Sequence, residues 1–78
     1  MKHLLPEITV RRSEPLQNIN RYYSMSVQPN LFGGYSLVRS WGRIGISCRT
    51  RVDLVSTQSE AEDCLLRLLR QKKRRGYH

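Results

Sequence analysis

The residues best suited to chemistry lie in one short run, Arg39-Ser40-Trp41-Gly42-Arg43. A Trp with Arg two places to either side shares one face of an extended chain with both cations. An indole can stack on a nucleobase or terminal sugar, worth about 1–3 kcal/mol per base, and guanidinium groups grip phosphate in bidentate fashion. Arg49 and Arg51 repeat the i, i+2 spacing on the next extended segment, and Lys72, Lys73, Arg74 and Arg75 form a basic run farther on. The candidate nucleic-acid contacts are therefore Trp41, Arg43, Arg39, Arg49, Arg51, Lys72, Lys73 and Arg74. Two readings of Trp41 stand side by side. A lone Trp in a small domain often packs into the core, whereas its flanking arginines argue for a contact surface. The basic run after residue 70 also serves, more plainly, to offset a helix dipole. Tyr22, Tyr23 and Tyr35 read as sheet residues rather than stacking platforms.

Catalytic groups are sparse. His3 and His78 lie at opposite ends of the sequence, and Cys48 and Cys64 have no CxxC partner. General acid–base or nucleophilic catalysis requires converging groups that this spacing does not provide. Zinc ligands would be expected in local pairs. The expectation is a protein that is not an enzyme, with no metal site, no cofactor and reduced cysteines.

The charge balance agrees with a polyanionic partner. Of the 78 residues, 14 are Lys or Arg and 6 are Asp or Glu, a net charge of +8. The cations crowd the second half, with ten basic and four acidic groups in residues 39–78 against four and two before them. Such an excess favours polyanions, nucleic acid first among them. No apolar run approaches the ~20 residues that span a bilayer, and Leu4-Leu5 is too short for a signal-peptide core. The expected compartment is the cytoplasm, with no membrane partner.

The elements that must position these residues follow from periodicity. Residues 1–15 read as a flexible lead-in with a short strand at Ile8–Arg12, interrupted by Pro15. Asn20–Gln28 alternates, with Tyr23, Met25 and Val27 on one face. Gly33-Gly34 suits a hairpin turn, and a third strand follows at Tyr35–Arg43. Neither of its faces is cleanly apolar, so the pattern leaves the side taken by Trp41 open. A fourth strand is expected at Ile46–Leu54. Thr57-Gln58-Ser59-Glu60 forms a capping box, and Ser59-Glu60-Ala61-Glu62 offers a second. Ala61, Cys64, Leu65, Leu68 and Leu69 then trace one apolar helical stripe, with Gly76 as the expected C′ residue.

Asn20-Arg21-Tyr22-Tyr23, Tyr35, Arg39-Ser40-Trp41-Gly42-Arg43-Ile44-Gly45 and the ending Lys72-Lys73-Arg74-Arg75-Gly76-Tyr77 together resemble the WGR domain family. The resemblance covers residues 16–78 in the family's order and is closest to short, stand-alone bacterial members. It implies an α+β fold, a small twisted antiparallel β-sheet with one C-terminal α-helix packed on it. It also implies nucleic-acid binding, with DNA as the expected partner. In DNA-dependent poly(ADP-ribose) polymerases the motif's Trp packs on the terminal nucleotide of a DNA break while the nearby Arg contacts DNA or neighbouring domains. That nominates Trp41, Arg43 and Arg39 here. The sequence departs from the family where a Gly-Gln pair commonly follows the motif: Gly45 is followed by Ile46-Ser47-Cys48-Arg49. The competing expectation is a protein-interaction adaptor, or a homodimer that covers an exposed sheet edge.

Overall fold

Alternation in Tyr23, Met25 and Val27 produces the buried row at the centre of the molecule: these side chains are 5%, 0% and 2% exposed. The computed structural model describes residues 5–78. It contains β1 (Glu7–Glu14), a 3-10 turn (Pro15–Gln17), β2 (Ile19–Pro29), β3 (Tyr35–Arg43), β4 (Arg49–Val55) and α1 (Gln58–Arg74). The strands form one antiparallel sheet in the order β1-β2-β3-β4, with α1 packed on β2, β3 and β4. The α+β expectation holds.

The first strand is longer than its periodicity suggested. Glu7–Glu14 pairs with β2 throughout, and Val10 enters the core, so residues 7–14 belong to the sheet rather than to a lead-in. Pro15 ends the ladder by starting the 3-10 turn, where a missing N–H costs nothing. The expected flexible start, with His3, lies in part outside the described residues. β4 begins at Arg49 rather than Ile46, because residues 44–47 fold back as a turn: the N–H groups of Ile46 and Ser47 both donate to the carbonyl of Arg43. That turn occupies the position where the sequence departs from the family pattern.

The helix starts at the first of the two caps read from the sequence. Thr57 Oγ1 accepts from the Glu60 N–H at 3.1 Å. Ala61 and Leu65 are buried, and Cys64, Leu68 and Leu69 pack beside them. At the other end, the Gly76 N–H donates to Lys73 O and the Tyr77 N–H to Lys72 O. This is a Schellman motif, with Gly76 at φ +95° as its left-handed residue. The chain then turns back to β1, where Arg11 and His78 exchange two backbone hydrogen bonds of 2.9 and 2.8 Å. The helix end and the tail are thereby fixed beside the sheet.

Candidate nucleic-acid interface

Trp41 lies on the face of the sheet that carries α1. It pairs with Tyr23 on β2 and Arg49 on β4. The side left open by the sequence pattern is thus settled by register: odd-numbered β3 residues face the helix alongside Met25 and Val27. Trp41 is half-buried and packs against the core. Its indole stacks on Tyr23 with centroids 5.8 Å apart and planes inclined by 16°, within the offset-stacked range. Lys72 Nζ sits 4.3 Å from the centre of the same Tyr23 ring, so a cation and an indole hold this phenol. One portion of Trp41 therefore packs, and the rest lines a hollow.

That hollow, about 470 Å³, is lined by Arg21, Trp41, Gly42, Arg43, Ser47, Arg49 and Tyr77. Arg21 and Arg43 are cross-strand partners, as are Trp41 and Arg49. Like charges placed opposite one another are unfavourable in a ladder, yet among the described residues no carboxylate pairs with any of the three arginines. Gly42 has a steric reason to be glycine. A Cβ there would stand 2.1 Å from the Ser47 carbonyl oxygen. Ser47 Oγ also accepts from the Arg43 N–H at 3.0 Å. The turn thus folds against the motif and forms one wall of the hollow.

The other candidate residues divide by their partners. Arg39 is largely covered: its Nη2 meets Asp53 Oδ2 at 2.8 Å, and Nη1 donates to Tyr23 Oη at 3.3 Å. Its Nε has no hydrogen-bond partner. Arg51 is more exposed and donates to Asp53 Oδ1 at 2.9 Å. One carboxylate therefore occupies both arginines, and neither lines the hollow. Lys72 stands behind the hollow over Tyr23, and 5.9 Å from the centre of the Tyr77 ring. Burial, then the charges of Arg75 and Arg39, push its ammonium below the usual lysine range. Lys73 and Arg74 are exposed on the last turn of α1 and do not line the hollow. Of the residues named from sequence, Trp41, Arg43 and Arg49 converge. Arg21 and Tyr77 were not named as contacts. Their signal was present in the family-like Asn20-Arg21-Tyr22-Tyr23 run and in the Gly76-Tyr77 ending, but only strand register and the helix cap bring them to Trp41.

No group of three or more His, Cys, Asp or Glu side chains among the described residues is placed to hold a metal. Among the described residues no helix is long and apolar enough to cross a membrane.

Comparison with known proteins places the chain in a family. The model of the WGR domain matches residues 7–78, and the chain belongs to that family. It is 47% identical over 68 residues to the uncharacterized protein y4dW of Sinorhizobium fredii (strain NBRC 101917 / NGR234), covering 87% of this chain and 33% of that protein. The chain thus spans about a third of the length of this relative. No solved structure matches it.

Proposed function

We propose that this domain is a non-catalytic module that binds nucleic acid, DNA in the first instance, in the hollow beside Trp41. The observation that carries the reading is the clustering of Arg21, Arg43 and Arg49 around one indole with no acidic side chain lining the space. Three cations left without counter-ions at a concave site suit phosphate groups. The indole supplies a surface for a base or sugar, already held in place by Tyr23. A terminal or unpaired nucleotide fits this combination better than an intact duplex, whose bases are stacked and closed to an indole. Sequence preference should be weak, because phosphate contacts position a ligand without reading its bases. Arg39 and Arg51, engaged with Asp53, support the scaffold in this reading. Lys73 and Arg74 add charge at the helix end.

Trp41 is the only tryptophan, so its fluorescence reports directly on the hollow. Titration with a short duplex at low salt should quench or shift the emission, and the association constant should fall steeply as salt rises. An unchanged emission at low salt, with the fold intact, would refute the proposal.

A further inference from the structure

The two edges of the sheet are finished differently. The β1 edge is met by the chain itself at Arg11, whose N–H and carbonyl both pair with His78. The β4 edge, Arg49–Val55, has no such cover among the described residues. It contains neither proline nor lysine, two of the usual devices that keep an edge strand from pairing. Val52 and Leu54 stand 52% and 67% exposed on the face away from the helix.

The sequence of this edge is complementary to itself. An antiparallel second copy aligned on Val52 sets Arg51 opposite Asp53 of the second copy, and Asp53 opposite its Arg51. Thr50 then meets Leu54, Arg49 meets Val55, and Val52 meets Val52 across the two-fold axis. Directly opposed residues share a sheet face, so the charged pairs fall on the helix side and the valine contact on the outer side. Centring on Arg51 or Asp53 instead would oppose Arg51 to Arg51 or Asp53 to Asp53. Alignments between these would place charged side chains against Val52 or Leu54. The Arg51-centred register also pairs Asp53 with Arg49 twice, but only the Val52-centred one pairs opposite charges twice without setting like charges against each other. Asp53 already accepts from Arg39 and Arg51 of its own chain at 2.8 and 2.9 Å, and a carboxylate with about four lone-pair sites can accept from a further guanidinium.

We infer that β4 is a homodimer edge, pairing with a second copy of this chain about Val52 to give an eight-stranded sheet with both helices on one side. This surface goes beyond the nucleic-acid site and does not depend on it. Two chains of net charge +8 repel at long range, so the pairing is expected to be evident at about 0.15 M salt, where the Debye length is about 8 Å.

The experiment is sedimentation of nucleic-acid-free protein over a concentration series. The wild-type mass should rise from one chain toward two. Val52→Lys, which sets two ammonium groups together at the axis, should stay monomeric at every concentration while keeping the wild-type circular dichroism. Arg51→Asp and Asp53→Arg should each stay monomeric alone, yet form a dimer when mixed in equal amounts, because each chain then faces only opposite charge. A wild type that is monomeric throughout would overturn the inference. So would a Val52→Lys protein that dimerises like wild type. If Asp53→Arg fails to fold because Arg39 loses its partner, Val52→Lys and Arg51→Asp decide the matter.

Discussion

Tyr23 and Trp41 face each other across the β2–β3 ladder with their rings stacked 5.8 Å apart. This contact joins the core to the candidate site. Tyr23 is 5% exposed and belongs to the buried cluster, so the indole rests on a ring that cannot readily move. Lys72 lies over the same ring and Arg39 donates to its hydroxyl. The aromatic surface that lines the hollow is therefore held from below.

Replacing that support should separate packing from hydrogen bonding. Tyr23→Phe keeps the stack and loses the Arg39 contact, a cost of about 0.5–1.5 kcal/mol. Tyr23→Leu also forfeits the aromatic pair, worth about a further 0.5–1.5 kcal/mol. Urea denaturation should rank the two variants in that order. The Trp41 emission maximum should stay near wild type in the Phe variant and move to longer wavelength in the Leu variant.

Gly42→Ala should damage both stability and binding. Its new methyl would fall 2.1 Å from the Ser47 carbonyl oxygen, a backbone atom that can move only if the 44–47 turn moves. Overpacking of this kind costs about 1–3 kcal/mol. Displacing the turn removes one wall of the hollow, so DNA affinity should fall even under conditions where the variant is fully folded. Denaturant midpoints and a binding isotherm on one preparation test both parts.

Asp53→Asn should destabilise the fold through Arg39. The Arg39–Asp53 pair is partly exposed, with side chains 15% and 31% accessible. The loss is therefore expected below the ~3–5 kcal/mol of a fully buried pair, at about 1–3 kcal/mol. Gln71→Ala, at an exposed position of α1 away from the strand, serves as a control that should shift the urea midpoint far less.

Much of this was legible in the sequence, and the reasons differ by element. The Thr57 cap, the apolar stripe from Ala61 to Leu69 and the Gly76 stop are local signals, so α1 could be read closely. The Tyr23–Met25–Val27 row gave the central strand its inward face. The role of Trp41 was not readable, because it depends on which residues oppose it. Register puts Trp41 between Tyr23 and Arg49, and no short-range pattern encodes that. Arg39 and Arg51 looked equivalent to Arg43 and Arg49 by spacing. Asp53, opposite Leu37 and two places along β4 from Arg51, separates them. Arg21 and Tyr77 are distant in sequence from the motif, and they meet it only because β2 pairs with β3 and the tail turns back after Gly76.

Salt dependence offers a count of contacts. Each phosphate contact on duplex DNA contributes about −0.9 to the slope of log K against log salt. Arg21→Ala, Arg43→Ala and Arg49→Ala should each make the slope shallower by roughly that amount. Arg51→Ala should change it less, since Asp53 already engages Arg51. Equal slopes for all four variants would mean that the hollow is not where phosphate binds.

The most direct measurement is an NMR titration of the wild type, Trp41→Ala and Arg43→Ala with blunt duplex, nicked duplex and single-stranded oligonucleotides. In the wild type the Trp41 indole N–H and the amides of residues 41–49 should shift most, and more with ligands that present a free end or an unpaired base. Both variants should keep the dispersed spectrum of the folded sheet while losing most of the shift. Wild-type perturbations confined to Lys73 and Arg74, with the Trp41 indole signal unmoved, would contradict a nucleic-acid site in the hollow.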